Sequence, residues 1–127
     1  MKKLVVLAAI IVLTAGIAYA KEFVKKGQAG TFQVEFKIDN LRVGANDINI
    51  EVKDESGKSV SDAKVQVKYS MPEGIDLPPM HFETGMKLEG NEYKGKIKIP
   101  MAGTWTTVVN VIRGGKTGSM KFNLEVH

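Results

Sequence analysis

Four side chains in the middle of the sequence have types and spacing suited to binding a soft metal ion. Met71, Met80 and Met86 lie in one segment, and His81 directly follows Met80. Thioether and imidazole donors suit Cu(I). The chain has no cysteine, which excludes thiolate ligands and disulfides. The sequence therefore offers Met71, Met80, His81 and Met86 as a candidate copper(I) site.

The same side chains have a competing structural interpretation. Methionine fills irregular gaps in a hydrophobic core. Neighbours on a regular strand point to opposite faces, so Met80 and His81 share an ion only if the backbone is irregular there. We assign Met101 and Met120 to packing, and His127 to a solvated position.

Catalysis has no recognisable candidate in the sequence. The carboxylates are scattered singly, and Asp54 and Glu55 lie at a tight turn, where such side chains cap the backbone. The chain has no cysteine, one internal histidine and no Ser-His-Asp order that strands could assemble. We expect a protein without enzymatic activity.

The candidate site must be positioned by a long loop. Three of the four prolines fall within Met71–Pro79. Because proline cannot donate to a sheet ladder, this segment is predicted to be irregular. Binding sites concentrate on irregular surface segments, so we place the candidate binding region of the protein between Met71 and Phe82.

Apolar and polar residues alternate with a period of two from Thr31 onward, which indicates strands with one buried face. The pattern predicts about seven strands, separated by turn signals: 32–38, 48–52, 65–69, 80–88, 93–99, 105–112 and 120–126. Seven short alternating strands favour an all-β, immunoglobulin-like two-sheet sandwich with Greek-key connections.

Several finer expectations follow from the same pattern. Strands 48–52 and 65–69 flank one turn and are predicted to be neighbours. Strands 80–88 and 93–99 are predicted to form a hairpin, and 105–112 is apolar enough to be covered on both faces. An up-and-down barrel is the alternative fold, disfavoured because the loop at 71–79 falls mid-chain, as a connection between sheets would.

The first twenty residues have the three parts of a secretory signal peptide. Lys2 and Lys3 precede an apolar run from Leu4 to Leu13, and Ala18-Tyr19-Ala20 forms a small-x-small site. Cleavage after Ala20 leaves one domain, residues 21–127, in the periplasm or secreted. The alternative is a retained membrane anchor, since residues 4–20 carry no charge.

Charge argues against a nucleic-acid partner. The formal net charge is +4, and losing Lys2 and Lys3 with the leader reduces it to +2, too little for strong binding by counterion release. Lys94, Lys96 and Lys98 line the polar face of one predicted strand. A solvated face, or protection of a sheet edge, is the favoured interpretation; an acidic partner or the membrane surface is the alternative.

A set of short motifs resembles the YtkA-like family and, more distantly, the FixH family. The resemblance covers about Gly44 to Val126. The matching segments, in chain order, are Val43–Asn46, Gly57–Val65, Met71-Pro72, Tyr93–Gly95 and Pro100–Trp105. The loop after Met71-Pro72 departs from the family pattern, which is often richer in methionine and glycine.

The resemblance implies an exported immunoglobulin-like sandwich with no enzyme activity. It also implies an association with heavy-metal efflux components or oxidase assembly, near which such domains are often found. We therefore expect a non-enzymatic binding or accessory module for copper handling or assembly of a membrane complex, whose partner is an envelope protein. Membrane contact is expected only if residues 1–20 remain as an anchor. The alternative is a purely structural interaction module of an envelope complex, paired through its strand edges.

Overall fold

The computed structural model describes residues 22–74 and 77–127. The predicted signal peptide, 1–20, lies outside the described residues. Nine strands and no helix occur in the described part of the chain: β1 Phe23–Ala29, β2 Phe32–Ile38, β3 Gly44–Lys53, β4 Lys64–Met71, β5 Met80–Gly85, β6 Lys87–Glu89, β7 Glu92–Ile99, β8 Gly103–Arg113 and β9 Lys116–Val126.

The strands form two antiparallel sheets, in the orders β1-β2-β3-β7-β6 and β5-β4-β8-β9. The runs β2-β3-β7-β6 and β4-β8-β9 have the order of the two sheets of an immunoglobulin constant domain, and β5 extends the second. The predicted all-β, immunoglobulin-like sandwich is confirmed.

Two differences raise the strand count from seven to nine. β1 was not predicted, because Lys25-Lys26 breaks the alternation and most of the strand is exposed. It pairs with β2 around a two-residue turn in which Gly30 adopts a φ of 64°. The predicted strand 80–88 is interrupted at Met86, where the chain passes from one sheet to the other.

The core lies between the two inner faces, and alternation along the strands supplies it. Buried residues recur at every second position of β2, β3, β8 and β9. The largest fully buried side chain is Trp105, followed by Tyr93 and Phe36. Burying one large apolar side chain contributes roughly 1.5–3 kcal/mol, so this interior supplies most of the stabilisation.

Polar atoms in the core are paired. The Trp105 Nε1–H donates to the Met101 carbonyl at 3.1 Å. The Tyr93 hydroxyl donates to the Val60 carbonyl at 2.8 Å and accepts from the Ala63 N–H at 3.1 Å. Within residues 22–74 and 77–127 no buried side-chain nitrogen or oxygen lacks a partner.

The predicted pairing of strands 48–52 and 65–69 is wrong. β3 lies between β2 and β7, whereas β4 lies between β5 and β8 in the other sheet. The connection crosses the sandwich after Val60, which is buried and donates its N–H to the Val52 carbonyl at 2.8 Å. Alternation identifies the buried face of a strand but not its neighbour.

The role predicted for the proline-rich loop is also wrong in one respect. The described residues of this loop, 72–74 and 77–79, are irregular apart from a bridge between Gly74 and Leu77, but the loop joins β4 to β5 within one sheet. The crossing occurs instead at Met86, whose N–H donates to the Val65 carbonyl at 2.9 Å. The predicted hairpin survives as β6 and β7.

One face of β8 is buried, not both. Trp105, Thr107, Val109 and Val111 are buried, while the residues between them are half-buried. On the outer face, side chains of the neighbouring strand contact those of β8, as where Ser119 Oγ donates to Asn110 Oδ1 at 2.6 Å. These polar cross-strand contacts explain why apolar composition overstated the burial.

On one side of the sandwich the two sheets meet through a close backbone contact. A Cβ at Gly118 on β9 would lie 2.0 Å from the Ala29 carbonyl oxygen on β1. Because the obstructing atom belongs to the backbone, it cannot move aside without separating the sheet edges.

Gly118→Ala is expected to lower the free energy of unfolding by about 3 kcal/mol, because the added methyl group overlaps Ala29. Urea denaturation would measure the change. Gly115→Ala is the matched control, since a Cβ there meets nothing within 4 Å. Equal stability of the two variants would show that β1 and β9 are not in this contact.

Candidate functional site

Met71 and Met80 form a cross-strand pair where the proline-rich loop leaves and re-enters the sheet. They are partners in the β4–β5 register, and both are half-buried against the core. Residue pairs in an antiparallel ladder alternate between hydrogen-bonded and non-hydrogen-bonded. The Met86 N–H donates to the Val65 carbonyl, so Val65 and Met86 form a hydrogen-bonded pair. Alternation then makes Met71 and Met80 a hydrogen-bonded pair, with Cα atoms about 5.5 Å apart. Two flexible thioethers at this spacing can reach one ion.

His81 lies on the other face of the same strand. It is exposed and pairs with Ser70, on the outer surface of the sheet, where Lys68 and Thr106 line the same shallow depression. β5 is regular from Met80 onward, so successive side chains alternate in direction. The structure therefore does not bring His81 together with the thioether of Met80.

Met86 is remote from the other candidate ligands. It lies six residues beyond Met80, about 20 Å along an extended chain. Its sulfur would be 2.5 Å from a Cβ placed at Gly95, so it occupies the space that this glycine leaves inside the sandwich. Of the four predicted residues, the structure brings together only Met71 and Met80.

Three aromatic rings lie beside the methionine pair. Tyr69 stacks on Phe82 with centroids 5.3 Å apart, and Trp105 is 6.0 Å from Tyr69 and 6.1 Å from Phe82. The Tyr69 hydroxyl accepts the Lys98 N–H at 3.0 Å, which links β4 to β7 across the sandwich. The rings hold the strand ends that carry the two thioethers.

Met101 is a third methionine at this end, which sequence analysis assigned to packing alone. It is half-buried, and its carbonyl accepts the Trp105 indole N–H. Gly103 follows two residues later, and a Cβ there would lie 2.6 Å from the Met71 methyl carbon. The sequence feature that could have pointed to Met101 is the turn at residues 100–102, which returns the chain to the end of the sandwich where Met71 lies.

Other charged groups are dispersed. Within the described ranges, no group of three histidine or acidic side chains is placed to hold a metal ion. Lys94, Lys96 and Lys98 are exposed on the outer face of β7, where Lys96 Nζ lies 3.7 Å from Asp47 Oδ1. An exposed pair at this distance contributes little to stability.

Asp54 caps a turn. Its Oδ1 accepts bonds from the Ser56 hydroxyl at 2.7 Å, the Ser56 N–H at 2.9 Å and the Lys58 N–H at 3.0 Å. The hydroxyl bond, followed by the bond from Lys58, lowers the pKa of Asp54 below its ordinary value. These bonds account for the carboxylate as a structural cap.

The fold and this end of it define a class of protein: an immunoglobulin-like β-sandwich with methionine, proline and aromatic residues at one end. This end, called the loop end, carries the connections 39–43, 72–79 and 100–102. The chain belongs to the YtkA-like family, whose match covers residues 20–110. That match begins before β1 and ends within β8, whereas the motifs noted in the sequence ran from about Gly44 to Val126. No curated protein and no solved structure matches the chain. In the described ranges, no helix has the length and apolar character to span a membrane.

A pH titration followed by NMR is expected to give Asp54 a pKa below the ordinary aspartate value, and Ser56→Ala should raise it. Because the folded-state pKa is lowered, the stabilisation is present above the unfolded pKa and is lost as pH falls through the folded pKa. An unchanged pKa in Ser56→Ala would show that the hydroxyl bond is not the main cause.

Proposed function

We propose that the chain is a non-enzymatic, exported binding module of the cell envelope that takes up Cu(I) at its loop end. The observation that carries the proposal is the direct pairing of Met71 with Met80 in the β4–β5 register. Met101, near the turn at the same end, is the candidate for a third thioether. His81 and Met86 are not ligands in this proposal.

The donor set favours Cu(I) over the commoner divalent ions. Thioethers are soft, neutral ligands, whereas Zn(II) and Cu(II) prefer imidazole, carboxylate or thiolate groups. Half-burial of Met71 and Met80 against the core limits water at the sulfur atoms. An ion bound there would also lie close to the ring cluster of Tyr69, Phe82 and Trp105, whose faces attract cations.

Localisation and partner complete the proposal. The predicted signal peptide at 1–20 supports export to the periplasm or beyond. The absence of cysteine suits an oxidising compartment, where thiolate copper carriers would be oxidised. The partner would be an envelope protein or membrane complex that receives the metal.

Titration of Cu(I) against a competing chelator under anaerobic conditions is expected to show one ion per chain, with shifts in the methyl resonances of Met71 and Met80. Met71→Leu and Met80→Leu should each weaken binding by at least about tenfold. Met86→Leu and His81→Ala are the matched controls and should leave binding unchanged.

The same experiment distinguishes thioether from imidazole ligation by pH. Neutral sulfur ligands do not compete with protons, so affinity should be constant between pH 5.5 and 7.5, about one unit either side of the ordinary histidine pKa. Affinity that falls with acidity and depends on His81 would contradict the proposed ligand set. Binding no tighter than micromolar would remove the copper function.

A second candidate function is favoured by the open edge of β5. Within the described residues, β5 pairs only with β4. His81 and Glu83 occupy the non-hydrogen-bonded positions of the β4–β5 ladder. Their backbone N–H groups therefore point towards the unpaired side of β5. A strand of an envelope protein could add there, which is the structural role considered from the sequence.

Glu83→Pro removes one of these outward donors without removing a bond to β4, and Glu83→Ala is its control. On this candidate function, only Glu83→Pro would release the chain from a native complex in a solubilised envelope extract, as measured by native electrophoresis. Release by Met71→Leu, but not by Glu83→Pro, would assign the complex to the methionine pair instead.

A further inference from the structure

The two ends of the sandwich differ sharply in chemistry. The loop end, with the connections 39–43, 72–79 and 100–102, also carries the start of β1 and the end of β9. All four prolines of the chain lie in the connections 72–79 and 100–102. The opposite end carries charged turns, whose charged residues include Lys53, Asp54, Glu55, Lys58, Asp62, Lys87, Glu89, Glu92, Arg113 and Lys116.

Large apolar side chains are exposed at the loop end. Val43 is 43% exposed, and Leu77 and Phe82 are each 40% exposed. Val43 and Phe82 border one shallow groove, with Ala45, Ile99 and Pro100 between them. Phe82 is held on β5 and Pro100, whose ring restricts the backbone, lines the groove, so the groove is largely preformed.

The charges next to this groove are cationic. Lys98 lines it, and Arg42 Nε donates to the carbonyl of Ala45, another lining residue, at 3.4 Å. The residues that line the groove include no carboxylate. An apolar surface bordered by Arg and Lys suits an interface of acyl chains and anionic headgroups. Glu22, Asp39, Glu73 and Glu125 also lie at this end, so we expect the apolar contacts to dominate.

The chain also enters the domain at the loop end. Phe23, the first residue of β1, pairs with Ile38, the last residue of β2. In the sequence, only Lys21 and Glu22 separate Phe23 from the uncharged stretch that ends at Ala20. Three residue steps span about 10 Å at most. If residues 1–20 stay in the membrane, the bilayer must lie next to the loop end and not the charged end.

We propose that the loop end rests on the surface of a lipid bilayer, with Val43, Leu77 and Phe82 entering the headgroup region and Arg42 and Lys98 contacting anionic lipids. This inference rests on the exposed side chains and the cationic groups beside them, and the entry point of the chain adds support where residues 1–20 are retained. It is independent of copper binding. Docking would hold a metal ion at Met71 and Met80 close to the membrane.

The absence of cysteine allows a direct test. Val43→Cys and Leu88→Cys place a single thiol at matched exposure, 43% and 41%, on opposite ends of the sandwich. An environment-sensitive dye on each reports contact with vesicles of phosphatidylglycerol and phosphatidylethanolamine. Both the full chain and a form starting at Lys21 are used, because every strand of both sheets lies beyond Glu22.

The dye at position 43 is expected to shift to the blue with vesicles in both forms, while the dye at 88 does not. Val43→Glu should lower the vesicle partition coefficient of the shorter form by about tenfold, and the double variant with Phe82→Glu by more. Leu88→Glu should have no effect. Thermal unfolding confirms that each variant is folded, and Val43→Glu alone suffices if the double variant is not.

Equal responses at positions 43 and 88, or equal losses in Val43→Glu and Leu88→Glu, would overturn the proposal. So would self-association that Val43→Glu abolishes without any vesicle binding, which would assign the loop end to a second copy of the chain. Vesicle binding with no copper binding would leave this inference standing and remove the copper function.

Discussion

The register of β4 against β5 is the constraint on which the candidate site depends. Burial of Val65, Val67 and Tyr69 fixes which face of β4 turns inward. A slip of one residue would turn all of them outward, at a cost of several kilocalories per mole. Stacking of Phe82 on Tyr69 at 5.3 Å holds β5 in the matching register. With that register set, Met71 faces Met80 and His81 faces solvent.

The sequence predicted the buried faces well and the neighbours of the strands poorly. Phe36, Ile50, Val67 and Ile97 are buried as alternation indicated, because a two-residue period reports directly on burial. Which strands pair depends on where connections cross the sandwich. The contacts found at those crossings, such as Val60 N–H to Val52 O, have no periodic signature in the sequence.

The candidate site was also only partly predictable from the sequence. Met71 and Met80 bracket the proline-rich loop in the sequence, and a hairpin places such positions together. Met86 was grouped with them by proximity along the chain, but the chain leaves the sheet there and the side chain packs over Gly95. Met101 could not be found without knowing that β7 and β8 lie in different sheets and turn back at the loop end.

Cu(I) binding is proposed here on one pair of thioethers, Met71 and Met80, at the loop end of a YtkA-like β-sandwich. The most direct test of this proposal is X-ray absorption at the copper edge of the Cu(I)-loaded chain. The account predicts a first shell of sulfur only, unchanged in His81→Ala and depleted of sulfur in Met80→Leu. A first shell with nitrogen scatterers that disappear in His81→Ala would contradict it.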